Sequence, residues 1–171
     1  PGTQRVAQQA GRALERLASL PEQFARFFPT TTGNQLDELV VSYGEGWWFL
    51  GDFNPDSRTI VWMAKRLAAA VHEATQLGMA HANINPGTVV INPAEHGLRL
   101  DGWWHTVKLG ERLALKPEAI TPPKYIGGSV ADNKIDIAQA AAMLRSIGKP
   151  DKVIAEVLSK HALNPGTPPE F

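Results

Sequence analysis

Gly78–Gly102 reads GMAHANINPGTVVINPAEHGLRLDG. A glycine opens it, and a polar loop follows over His81–Thr88. Two short apolar runs, Val89–Ile91 and Leu98–Leu100, flank the turn residues Asn92–Gly97, and the second run ends on Asp101. Two β-forming runs around a Pro- and Gly-containing turn predict an antiparallel hairpin. Upstream, Ile60, Ala64, Leu67, Val71 and Ala74 recur at helical spacing and predict one long amphipathic helix. Asp56 or Ser57 is its N-cap and Gly78 its stop.

Working outward, Gln4–Leu20 carries Val6, Ala10, Ala13, Leu14 and Leu17 on one stripe, with Thr3 as its cap. Pro21 separates it from a short helix in which Phe24, Phe27 and Phe28 share a face. Thr30–Asn34 reads as a loop. Leu39–Tyr43 and Trp47–Leu50 read as strands around Gly44-Glu45-Gly46, a hairpin signal. Val107–Leu109 predicts a further short strand. Lys116–Gly128, rich in Pro and Gly, reads as a loop. A helix is expected over Ala131–Ile147, with Ile137, Ala140, Ala141, Leu144 and Ile147 on one face and Gly148 stopping it. A last helix over Asp151–His161 would bury Ile154, Val157 and Leu158. The expected class is α+β and mostly helical.

The chain has 171 residues, enough for one domain with a sizeable core. Lys plus Arg equals Asp plus Glu, 17 each. No long-range field would draw nucleic acid or an anionic membrane, so neither is expected as a partner. There is no cysteine, which removes disulfides, thiol chemistry and Cys-based zinc sites. No apolar run approaches the roughly 20 residues of a membrane span. No signal peptide is visible, and a cytoplasmic location is expected. The five histidines, at 72, 81, 96, 105 and 161, include no i, i+4 pair, which argues against a histidine metal site.

His81-Ala82-Asn83-Ile84-Asn85-Pro86-Gly87-Thr88, the hairpin, and Asp101-Gly102-Trp103 together resemble the catalytic loop and metal-binding segment of a protein kinase. Asn83 and Asp101 are 18 residues apart, which suits that family. Pro122-Pro123-Lys124 is similar to the close of its activation segment. Asp136-Ile137-Ala138 is similar to its segment in which an Asp reaches back to the catalytic loop. The resemblance implies a kinase large-lobe-like domain over residues 1–163 with a reduced or missing small lobe. Residues 1–36 would be a helical extension in place of that lobe, 37–55 a hinge-like hairpin, 56–163 the lobe itself, and 164–171 a flexible tail.

The same comparison implies lost chemistry. Asn83 stands where the family has its catalytic Asp, and an amide cannot accept the hydroxyl proton as a carboxylate does. Asn85 replaces the phosphate-steadying Lys and Thr88 the metal-binding Asn. Ala82 replaces an Arg. Asp101 alone keeps the family's chemistry and is the one metal-ligand candidate. His81 is expected to pack the loop and Asp136 to tie helix to loop. No intact G-x-G-x-x-G is present, and no Walker-type loop.

These residues predict a non-catalytic pseudokinase-like domain that binds another protein and needs no cofactor. The alternatives are an atypical phosphotransferase that holds ATP and magnesium through Asp101, and a small-molecule-binding domain without chemistry. Trp47, Trp48, Trp103 and Trp104 are the candidate interaction surface, because exposed tryptophans are enriched at binding hot spots. Trp103 and Trp104, next to Asp101, could instead fill a vacated site or pack the core.

Overall fold

The computed structural model describes residues 2–35, 38–113 and 129–163. The expected loop Lys116–Gly128, with Pro122-Pro123-Lys124, and the tail Asn164–Phe171 lie outside these residues. The fold is α+β, about half helical, with small antiparallel sheets.

Helix α1 (Gly2–Ala18) leads through Pro21 into the single turn α2 (Glu22–Ala25). Strands β1 (Thr30–Gln35) and β2 (Glu38–Ser42) pair antiparallel, with an irregularity between Thr31 and Gly33. Strand β3 (Trp48–Phe49) runs into a 3₁₀ turn, Leu50–Asp52, and then α3 (Ser57–Gln76). Strand β4 (Met79–Ala80) precedes the polar loop. Strands β5 (Val89–Asn92) and β6 (Gly97–Leu100) form the hairpin. A 3₁₀ turn, Trp103–His105, leads to β7 (Val107–Lys108), and α4 (Ile135–Ile147) and α5 (Lys152–Leu163) follow.

Strand β5 is central in a three-stranded sheet, between β3 and β6. Its pairs include Trp48 with Ile91 and Val89 with Leu100. Strand β4 pairs with β7, Met79 opposite Lys108. The expected strands on either side of Gly44-Glu45-Gly46 therefore exist but are not a hairpin. Strand β2 turns back onto β1, and β3 crosses to the edge of the β5–β6 hairpin. The chain at Thr30–Gln35, read as loop and as part of a helical extension, is strand. Its three consecutive threonines carry the β-branching that the loop reading passed over. Thr3 lies inside α1 rather than capping it. Helix α4 starts at Ile135, four residues later than expected from Ala131.

The core is built around α3. Ile60, Met63, Leu67, Ala70, Val71 and Ala74 are buried along one stripe, and Asp56 caps the helix by accepting from the Thr59 amide at 2.8 Å. Against it pack Ala10, Ala13, Leu14 and Leu17 of α1, Phe27 and Phe28, the hairpin's Val89, Ile91, Leu98 and Leu100, and Met143 and Leu144 of α4. Where α4 ends, a side chain at Gly148 would meet the Pro55 carbonyl and Ile60 at 2.7 Å, so only glycine lets these two helix ends approach. Among the described residues no helix is long and apolar enough to cross a membrane.

Candidate functional site

The polar loop that follows β4 is held from three sides. Asp136, in the first turn of α4, is almost wholly buried, and its two carboxylate oxygens accept from the His81 and Ala82 amides, each at 2.7 Å. One helical turn on, Gln139 accepts from the Ile84 amide at 3.0 Å and donates to the Ala82 carbonyl at 3.2 Å. An i, i+3 pair on one face of α4 thus grips both sides of the bend. The bend needs gripping, because Ala82 has φ +62°. A left-handed backbone costs a residue with a Cβ about 1–2 kcal/mol, and the four hydrogen bonds offset that strain.

His81 ties the loop to the end of the hairpin. Its Nδ1 accepts from the Asn83 amide at 3.2 Å, so the ring proton sits on Nε2 and donates to the Asp101 carbonyl at 2.6 Å. Its edge meets the ring of Trp103, centroids 4.8 Å apart. Both nitrogens are used by the neutral ring, and burial pushes the pKa down to about 4. Burial pushes Asp136 up to about 6, against the pull of the two amides it accepts from.

These two shifts have opposite effects on stability. The contribution of His81 is whole above pH 6.5 and is lost as pH falls to about 4. That of Asp136 is whole below pH 3.8 and is lost as pH rises through about 6. Each is worth roughly 3 kcal/mol at about 1.4 kcal/mol per pKa unit. They oppose over the same window, so the urea midpoint of the protein is expected to stay nearly level from about pH 4.5 to 6. His81→Gln removes one of the two slopes, and its midpoint is expected to fall as pH rises through this window. A level profile in the variant would contradict the assignment.

The rest of the loop is self-satisfied. The Asn85 side-chain amide donates to the Asn83 carbonyl at 3.0 Å and to Asn83 Oδ1 at 3.1 Å, and Asn85 Oδ1 accepts from the Gly87 amide at 2.8 Å. The Thr88 hydroxyl accepts from the Asn85 amide at 3.0 Å and lies 2.9 Å from the Asn83 carbonyl and 3.1 Å from that of Asn85. The Asp101 amide donates to the Thr88 carbonyl at 2.8 Å, which sets the carboxylate beside the loop. Gly102 follows at φ +82°, where a Cβ would lie 2.5 Å from the Thr88 methyl group. The Asp101 carboxylate accepts from the hydroxyl of Tyr43, which comes from the end of β2. Burial and that hydrogen bond both raise the Tyr43 pKa, so the phenol stays neutral.

His81, Asn83, Asn85, Thr88, Asp101 and Asp136 are therefore one cluster. The tryptophans are not. Trp103, 1% exposed, is core, packed edge-on to Phe28 and His81, and cannot belong to an interaction surface. Trp47 lies at the far end of the hairpin, under the Arg99 guanidinium at 4.3 Å and against Gly97. Trp48 is 67% exposed and Trp104 40%. Phe49, next to Trp48 in β3, and Phe53 are also exposed, whereas Trp104 lies within the 3₁₀ turn, near α1. Tyr43 and Gln139 escaped the sequence reading. Gln139 had a signal, a polar residue one turn after Asp136 set between alanines. Tyr43 had none, since nothing local connects β2 to Asp101. Among the described residues no three His, Cys, Asp or Glu side chains gather as a metal site. No protein-family model matches the chain, and no curated protein matches it in sequence.

Proposed function

We propose that this chain is a non-catalytic, pseudokinase-like domain that binds another protein. One observation carries the reading: the His81, Ala82 and Ile84 amides and the Asn85 and Thr88 side chains are all engaged within the protein, and one Asp101 carboxylate oxygen accepts from Tyr43. A group that transfers phosphate must face its substrate, with donors and acceptors left open to it. The link from Asp136 to the loop backbone supports the kinase resemblance, because it is the link that resemblance implies. The exposed Trp48, Phe49 and Phe53, on and beside the edge strand β3, support the interaction half of the reading. Exposed aromatics are enriched at binding hot spots.

Magnesium with a nucleotide fits these residues poorly. The ion takes several oxygen ligands, whereas Asp101 already accepts from Tyr43 and the Thr88 hydroxyl is engaged with the loop backbone. Thermal denaturation with ATP and Mg²⁺ or Mn²⁺ tests this. No rise in melting temperature is expected for the protein or for Tyr43→Phe, in which the carboxylate is uncapped. A metal-dependent rise that disappears in Asp101→Ala would favour the atypical phosphotransferase instead. Cross-linking in the native host is expected to place a partner protein over Trp48, Phe49 and Phe53.

A further inference from the structure

A groove of about 750 Å³ runs between α1 and the segment from Trp104 to Arg112. From α1 it is lined by Arg5, Arg12 and Arg16. Steps of seven and four residues put these three on one stripe, about 16 Å long at 1.5 Å per residue. From the other wall come Lys108 and Arg112, with Glu111 as the one carboxylate among the described residues of the lining. Among the described residues of the lining, five cations thus meet one carboxylate, in a chain of zero net charge. Among the described residues, Arg5, Arg12, Lys108 and Arg112 have no side-chain hydrogen bond or ion pair. Arg16 donates to the Leu77 carbonyl. His105, also in the lining, adds no charge, since burial lowers its pKa.

Cations held this close repel one another unless an anion lies between them. Their arrangement selects the anion. A compact phosphate calls for donors that converge on a point, whereas these form two facing rows. A nucleic-acid strand calls for a series of aromatic platforms, and among the described residues of the lining Trp104 is the one Trp, Tyr or Phe. An extended peptide places alternate side chains on one face about 7 Å apart. Acidic ones would meet the arginine row while apolar ones met Val6, Met79 and Val107 of the lining.

We propose that this groove binds an extended acidic segment of a partner protein, with carboxylates alternating with apolar side chains. The inference stands on the groove alone and does not need the kinase resemblance.

Fluorescence anisotropy with a labelled ten-residue peptide of alternating Glu and Leu tests it. Saturable binding is expected, weakening as salt rises. The double variant Arg12→Glu, Lys108→Glu is expected to bind about tenfold or more weakly, and Arg12→Ala to show a smaller loss in the same direction. All of these sites are exposed, and unchanged melting curves would show the fold intact. Lys65→Glu with Lys160→Glu makes the same change in net charge at exposed positions outside the groove and is expected to leave binding unchanged. Absence of saturable binding, an equal loss in the control pair, or tighter binding of a uridine ten-mer than of the peptide would overturn the proposal.

Discussion

Replacing Asp136 with alanine is expected to destabilise the protein by about 3 kcal/mol, a large part of the 5–15 kcal/mol typical of a domain. The carboxylate is buried, and its ionised form carries a desolvation cost, as its raised pKa shows. Alanine removes that cost. It also leaves the buried amides of His81 and Ala82 without acceptors, at about 1–3 kcal/mol each. The unpaired amides outweigh the relief, because breaking one side of a buried charged contact is strongly unfavourable. The left-handed Ala82 would also lose one of its restraints. Asp136→Asn keeps one carbonyl oxygen for one of the two amides, so about half of the loss is expected. Urea midpoints at pH 7 measure both, and faster hydrogen exchange at the His81 and Ala82 amides would localise the effect. Equal losses for alanine and asparagine, or less than about 1 kcal/mol for alanine, would contradict the two-amide account.

What was legible in the sequence was what local periodicity specifies. The stripe on α3 and the β5–β6 hairpin follow from residue spacing and type, and the structure has both; of the two cap candidates, Asp56 and Ser57, it uses Asp56. The expected cap at Thr3 failed because nothing in the apolar stripe marks where a helix begins. The pairing of β2 and β3 failed for a different reason. Two short strands around Gly-Glu-Gly form a hairpin only if no other edge competes for them. Strand β2 finds β1, and β3 finds the open edge of β5. Both choices depend on segments distant in sequence.

The cluster shows the same division. His81, Asp101 and Asp136 stood out by their places in a pattern, and the structure brings them together. Which groups close the cluster did not stand out. Tyr43 reaches Asp101 across 58 residues of chain. Without it the sequence leaves a lone carboxylate, equally suited to a metal ion or to a turn. With it, one oxygen of that carboxylate has a neutral donor from the chain itself.

Trp103→Ala is expected to cost about 3–5 kcal/mol, the range for deleting a buried aromatic ring. The residue is 1% exposed and sits where Phe28, the end of the hairpin and the polar loop meet. Three separate losses add up there. The ring leaves a cavity into which Phe28 and His81, both in edge contact with it, can collapse only in part. Its Nε1–H no longer satisfies the Leu100 carbonyl, a bond of 2.7 Å at the end of β6. His81 loses its edge partner, and with it part of what orients the imidazole toward the Asp101 carbonyl. Trp103→Phe keeps an aromatic face but not the N–H donor, and a loss of about half as much is expected. The third loss can be isolated by a double-mutant cycle with His81→Gln, in which a coupling of about 1 kcal/mol or more is expected between residues in contact. Simple additivity of the two substitutions would mean that the ring only fills space, and that the loop is oriented by Asp136 and Gln139 without help from the core beneath it.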